Sequence, residues 1–450
     1  MSTLAKRPKV RKPRAWAFPQ PDEFALANGL QVMLFHRPGQ HVVSAGLSLD
    51  LPLAAEPDAL EGVATLMART LDAGTSAHPG TAFQDAVEDC GAAFEASVGY
   101  SSTHVYVDVP RSHLGAAIAL MADAVASPTL ADADVDRERA LHLAEISQHL
   151  ANSPQRAAHV FRRAILQRRY RASRLRGGEA ATVEKVTGAD VRAFHASYVG
   201  PVGATLVVVG DLDDAVPGLV EDAFGSWSNP GQQFAEHEYP QPRQRHLYLV
   251  DRPGSVQADV RLGHFTIDRA DPGWADFQIA VHALGGAFLS RLNRVLREEK
   301  GFTYGVRLVN APLRDGGFTY VQGSFRTEVV AEAVSLLPGL LDVRSAPFTA
   351  DEVEQARQYL VGVQPLQYAT AAGVCNAMMT LLSAGLGPAY VDALRAGFQR
   401  VTPESATDVA SVLLPPERMT LVVVGDAASL AGPLAEAGWD VRVLDEGEWI

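Results

Sequence analysis

Only two cysteines, Cys90 and Cys375, occur in 450 residues. That is too few for a disulfide framework or a cysteine-built metal cage, and it fits a reducing compartment. No stretch approaches the roughly 18 consecutive apolar residues of a membrane-crossing helix, so no membrane partner is expected. Positive charge is in deficit. The 39 Lys and Arg against 52 Asp and Glu leave a net charge of −13, which argues against nucleic acid as a partner. The thirteen histidines never fall in a metal-binding spacing: H-E-x-x-H, H-x-x-E-H and a His pair at i and i+4 are all missing. No G-x-S-x-G elbow supports Ser-His-Asp catalysis either. The opening "MSTLAKRPKVRKPRAWAFPQP" lacks the apolar core of a signal peptide. It reads as a basic flexible tail over residues 1–20, and the expected location is cytoplasmic.

What is present describes a globular chain, 47% hydrophobic and 20% charged. Its length calls for at least two cores. The sequence also repeats itself. "TLVVVGD" stands at 205–211 and again at 420–426, 215 residues on; "HRPG" at 36–39 and "DRPG" at 251–254 keep the same offset. The "VT" pairs at 186 and 401 also keep it, while "SPTLAD" at 127 and "APFTAD" at 346 are 219 apart. Landmarks held in order and nearly in register mean two copies of one fold.

The join falls in "NPGQQFAEHEYPQPRQR", a polar, Pro- and Gln-rich stretch expected not to pack. The domains are therefore expected at 21–228 and 245–450, with a linker at 229–244. Each half opens with strands, "LQVMLFH" and "VVSAGLSLDL" in the first, "HLYLV" and "ADVRLGHF" in the second. Helical patterns follow at 58–72, 133–150 and 277–299, and each half closes on the buried-looking "TLVVVGD". The fold class expected is α+β: two homologous domains, each a mainly antiparallel sheet packed with helices.

Candidate chemistry sits on three stretches. In "DADVDRERALHLAEISQHLA", Glu138 and Glu145 lie two helical turns apart and share a face. They suit acid/base work or metal ligation, or simply a solvated face among Arg137, Arg139 and Gln148. Residues 156–176 hold eight arginines and Tyr170. This reads as an exposed helix face, with RNA or an acidic surface as alternatives. In "LGGAFLSRLNRVLREEKGFTYGV", Arg297 closes a helix carrying Phe288, Leu289, Leu292, Val295 and Leu296, and Tyr304 begins a returning strand. The tight connection either aims the two into one space, or leaves Arg297 on the helix dipole and Tyr304 in packing.

A fourth stretch, "ATLMARTLDAGT" at 64–75, ends an amphipathic helix with Thr65, Ala68 and Arg69 on one face. With the others it resembles the insulinase-like and mitochondrial-processing-peptidase-like zinc metallopeptidases, the inverzincins, from about Phe24 to Asp426. The active helix of that family reads approximately G-x-A-H-x-x-E-H-x-x-x-x-G-T. Gly62, Ala64, Gly74 and Thr75 match it, while the ligand, base and ligand positions hold Thr65, Ala68 and Arg69. Glu145, 76 residues after Arg69, takes the place of the third ligand, and Glu138 that of an accompanying glutamate. The resemblance thus implies a peptidase frame that has lost two of three zinc ligands and the general base. No cofactor is expected in this chain. An Arg69 guanidinium in the place of the metal is expected to pair with Glu145 or, failing that, with Glu138.

The family also carries an Arg and a Tyr seven apart that hold substrate and stabilise the oxyanion, and Arg297 and Tyr304 match them. In two-chain bacterial members one subunit brings zinc and the other brings this pair. The resemblance therefore implies a non-catalytic subunit of a heterodimeric zinc peptidase. Its partner would be a homologous chain with an intact H-x-x-E-H and the zinc, and its substrate an unfolded peptide. A core-type scaffold subunit and a peptide-binding chaperone without proteolysis are the competing expectations.

Overall fold

A computed structural model describes residues 15–243 and 246–445. The first half supplies strands β1 (Asp22–Ala25), β2 (Gln31–His36), β3 (Val42–Leu49), β4 (Ala93–Val98), β5 (Thr103–Pro110) and β6 (Ala204–Gly210). The second supplies β7 (Leu247–Asp251), β8 (Gln257–Thr266), β9 (Val306–Pro312), β10 (Gly317–Arg326), β11 (Thr420–Gly425) and β12 (Val441–Leu444). They form two six-stranded sheets, ordered β1-β2-β6-β3-β5-β4 and β12-β7-β11-β8-β10-β9.

The repeat seen in the sequence holds at the level of hydrogen-bond register. Gln31 faces Thr205 across the parallel β2/β6 pair, and Leu247 faces Leu421 across β7/β11, each 174 residues apart. Ser44 faces Val209, and Asp259 faces Val424, each 165 apart. The outer edge is where the halves differ. β1 joins β2 antiparallel, whereas its counterpart β12 comes from the chain's end and joins β7 parallel.

The run "LVVV" is apolar on both faces because each sheet is covered on both faces. Leu206 and Val208 point into the first half's own core, while Val207 and Val209 meet Val374, Cys375, Met378 and Met379 on the helix Ala371–Ser383. Reciprocally, Leu421 and Val423 face the second core, while Val422 and Val424 meet Val160, Phe161 and Ala164 on the helix Ser153–Ile165. Each half therefore lends one helix to the other half's sheet. Gly46 on β3 permits the first of these contacts, since a Cβ there would stand 2.8 Å from Cys375 Sγ. Both cysteines are buried and unbridged.

Three expectations are corrected. Residues 1–14 of the expected tail lie outside the described residues, but Trp16 and Phe18 are anchored. Phe18 is 2% exposed, its N–H donates to Asp392 Oδ1 at 3.1 Å, and Trp16 stacks on Tyr368 with centroids 5.7 Å apart. Two aromatic rings outweigh the basic composition around them. The linker is also held down: Asn229 Nδ2 donates to the carbonyls of Ala196 and Val199, Glu238 accepts from the Arg171 N–H at 2.6 Å, and Arg243 N–H donates to Ile165 O at 2.8 Å. Its polar groups serve as anchors; polarity did not mean detachment. Finally, the helix expected at 277–299 is interrupted. Trp274–Val281 and a π-helical turn His282–Gly286 end before Ser290, which caps a new start at Arg291–Asn293 and a second π-helical segment, Arg294–Glu299. Phe288 and Leu289, 74% and 61% exposed, stand in the break.

Candidate functional site

The helix Val63–Thr70 carries Thr65, Ala68 and Arg69. Its start is built from three devices. Gly62 sits at φ 103°, a left-handed backbone that glycine tolerates, and a Cβ there would meet Gly177 O at 2.6 Å. Glu56 Oε1 accepts the N–H groups of Gly62 and Ala64, each at 3.0 Å, so a carboxylate faces the helix's positive end. Arg171 Nε in turn donates to Glu56 Oε2 at 2.9 Å, and both side chains are buried. Burial pushes the Glu56 carboxyl above its ordinary value, against the pull of Arg171 and the two N–H groups.

The long helix Asp132–Ala151 presents Glu138, His142 and Glu145 on the face turned to Arg69. Arg69 Nη1 donates to Glu145 Oε2 at 2.7 Å and Nη2 to Glu145 Oε1 at 2.6 Å, a two-pronged pair. Nε reaches Glu138 Oε2 at 3.2 Å. Both alternatives expected for Arg69 are therefore realised together. His142 closes the network. Its Nε2 lies 2.8 Å from Gly177 O and so carries the proton, leaving Nδ1 to accept from Arg69 Nη1 at 3.3 Å. The Arg69 hydrogen bonds hold the Glu145 carboxyl down at about 2. The network is not sealed from water, since the Arg69 and Glu145 side chains are 28% and 44% exposed.

A zinc ion does not fit this arrangement. Thr65 and Ala68 offer no ligand, and the Arg69 guanidinium takes both oxygens of Glu145. Among the described residues, no three or more His, Cys, Asp or Glu are grouped to hold a metal. His142 escaped the sequence reading, although its place between Glu138 and Glu145 on one helical face was the available signal.

Thr65, Ala68, Arg69, His142 and Glu145 line a cleft of about 590 Å³ between the halves, whose far wall is Phe318 and Tyr320 of β10. Further along the same face of β10, Gln322 and Ser324 line a second cleft of about 730 Å³ that holds Arg297 and Tyr304. The two residues thus share a cavity, separate from that of Arg69. Tyr304 lies in the loop ahead of β9 and not on the strand as expected, and it is 98% exposed. The Arg297 guanidinium stacks over Phe288 at 3.7 Å and pairs with Glu298 at 2.5 Å.

The arginine-rich stretch is not a single exposed face: Arg168, Arg169 and Arg176 are exposed, the others are not. Arg156, Arg163 and Arg171 are 3–4% exposed. Arg163 pairs with Glu179, Arg171 with Glu56, and Arg174 with Glu61. Arg162 lies between the rings of Tyr100 and Phe318, 4.6 and 4.2 Å from their centroids. The helix Ser153–Ile165 covers the second sheet and turns Arg162 and Arg163 to rings and to Glu179. Arg171 and Arg174, in the segment after it, reach Glu56 and Glu61; composition alone did not reveal those partners.

The chain is built of two homologous α+β halves, with Arg69 bonded to Glu145 and Glu138 across two facing helices of the first. The chain belongs to the insulinase-like peptidase family. The family described as "Insulinase (Peptidase family M16)" matches residues 31–177, and "Peptidase M16 inactive domain" matches residues 185–360. An uncharacterized zinc protease of Mycobacterium tuberculosis is 27% identical over 72% of this chain and 74% of its own length. Among solved structures, a peptidase M16 inactive domain from Pseudomonas fluorescens is 21% identical with a TM-score of 0.83, covering 90% of this chain and 98% of that one. A protease from Helicobacter pylori is 18% identical with a TM-score of 0.82, covering 90% and 99%. These two likenesses establish the fold.

Proposed function

We propose that this chain is the non-catalytic subunit of a two-chain zinc peptidase. In this reading residues 21–228 and 245–450 are its peptidase-like halves, and a homologous cytoplasmic chain with an intact H-x-x-E-H supplies the zinc and the general base. This chain helps hold an unfolded peptide and offers the Arg297 guanidinium and Tyr304 hydroxyl to the developing oxyanion. One contrast supports the reading: Arg69 is engaged by Glu145 and Glu138 of its own chain, while Arg297 and Tyr304 share a cleft in which Tyr304 is 98% exposed. An almost fully exposed tyrosine beside a guanidinium on an aromatic platform suits a group that acts on something outside this chain. The run of β10 side chains through both clefts suits an extended ligand.

Co-expression with a zinc-bearing homologue and assay of an unfolded peptide tests this. Neither chain alone should cleave, and the purified pair should. Cleavage by the partner alone at the rate of the pair would favour a scaffold role, and stable peptide binding with no cleavage by the pair would favour a chaperone.

A further inference from the structure

Beside the Arg69 cleft, the seam between the halves forms another, open cavity of about 300 Å³. The first half contributes Arg176, Ser101 and His104 to its wall, and the second contributes Arg269, Arg314 and Ser383. Three guanidinium groups line it and, among the described residues, no carboxylate does. That is the reverse of a chain whose net charge is −13.

Of the three, Arg314 is the one paired with an acid: it shares Asp50 with His237. Its Nη1 donates to Asp50 Oδ1 at 2.9 Å and lies 2.8 Å from His237 Nε2. Arg176 is exposed, and the bond made there uses its backbone carbonyl, which accepts from Arg171 Nη2 at 2.9 Å. Arg269 is the telling member. Its guanidinium lies toward the Trp274 ring at 5.6 Å, and the groups acting on it are Tyr390 and Tyr368, not an acid. Burial accordingly pushes its pKa down. His104 adds no charge: burial holds it at about 4, and its ring bonds Ser102 and Ser383 at 2.9 and 3.0 Å.

A half-buried cation without a counter-charge is costly, and an anion in the cavity relieves that cost. Guanidinium forks match planar carboxylate and tetrahedral phosphate alike. Arg314 already gives one N–H to Asp50, so Arg176 and Arg269 bring whole forks and Arg314 a partial one. Together they still offer more donors than the two oxygens of one carboxylate readily accept, while a phosphate presents oxygens in three directions or more. We infer that this seam cavity binds a phosphate group, free or as a small monoester, which ties the two halves together through Arg176, Arg269 and Arg314. The inference stands apart from the proposed peptidase role.

Titration calorimetry on the full chain tests it, with inorganic phosphate in one arm and glycerol phosphate in the other, at ionic strength held constant with sodium chloride. Saturable binding in either arm is the expected result, and the tighter arm identifies the source of the phosphate group. Arg176→Gln and Arg269→Gln should each weaken binding by about tenfold or more, the scale of a lost charged hydrogen bond. Arg344→Gln, at an exposed arginine outside the cavity, should bind as the wild type does. Should Arg269→Gln fail to fold, the exposed Arg176 still carries the comparison. No saturable binding in either arm, or undiminished binding by Arg176→Gln, would overturn the inference.

Discussion

Arg69 and Glu145 meet through two parallel hydrogen bonds of 2.7 and 2.6 Å between the facing helices Val63–Thr70 and Asp132–Ala151. The guanidinium supplies the positive charge that the carboxylate faces, and Glu138 takes the remaining fork position. The consequence for stability is set by exposure. Glu145 is 44% exposed and Arg69 28%, so the pair is largely screened. Arg69→Met should therefore destabilise by only about 1 kcal/mol in urea unfolding. A loss above about 3 kcal/mol would mean that the network behaves as a buried one.

The same pair sets a pH dependence. The folded Glu145 carboxyl sits at about 2, below its ordinary value of 4.5. A depressed folded pKa gives stability that is fully present above the unfolded value and lost as pH falls toward the folded one. The stability difference between wild type and Arg69→Met should be constant near neutrality and shrink from about pH 4.5 downward. Urea titrations at several pH values read this out, and a difference that grows on acidification would contradict it.

Glu56 differs from Glu145 because it is buried, with Arg171 and two helix N–H groups as its partners. Glu56→Gln should destabilise by about 3–5 kcal/mol by leaving the Arg171 charge uncompensated. Thermal unfolding that matches the wild type would show that Arg171 finds another acid, with Glu61 at 3.9 Å the nearest candidate.

At the seam, Gly46→Ala would place a methyl group 2.8 Å from Cys375 Sγ and 3.1 Å from Met379 Sδ. Both are side-chain atoms of the helix lent by the other half, so the cost should be the 1–3 kcal/mol typical of overpacking, about that of a shifted helix. Unchanged denaturant unfolding would mean that this helix can withdraw without loss.

If the frame is retained, restoring its chemistry should restore the metal. The triple variant Thr65→His, Ala68→Glu, Arg69→His frees Glu145 and returns two nitrogen ligands to its side. It should retain about one zinc per chain after dialysis, as three protein ligands and a water suffice for tight binding. A folded triple variant without zinc in elemental analysis would show that the helices no longer stand at ligand distance.

The sequence carried the architecture because the repeat fixes strand order and register in both halves, and "TLVVVGD" is apolar on both faces in each copy. It also carried the Arg69–Glu145 pairing, which followed from the resemblance: a carboxylate turned toward that space calls for a cation, and Arg69 was the one in reach. Other features depend on contacts between distant segments. The bond that fixes the His142 ring, to Gly177 O, appears only in the fold. The arginines' partners became legible only when Glu56, Glu61 and Glu179 were seen to face them, and the anchoring of Phe18 only beside Asp392 of the other half. The break at Ser290 was hidden by a continuous apolar pattern, in which Phe288 and Leu289 read as core while they stand exposed around Arg297.

The most direct measurement is the turnover number of the pair formed with a zinc-bearing homologue, comparing this chain as wild type, Arg297→Ala and Tyr304→Phe. Tyr304 is 98% exposed. Arg297, though its side chain is only 15% exposed, is covered by the exposed Phe288 ring and bonded to its neighbour Glu298, not to a buried acid. Folding and co-purification should therefore be unchanged. Loss of one oxyanion donor should slow peptide cleavage by about 10² or more in each variant. Wild-type turnover in both, with the pair intact, would contradict the account and leave this chain a scaffold.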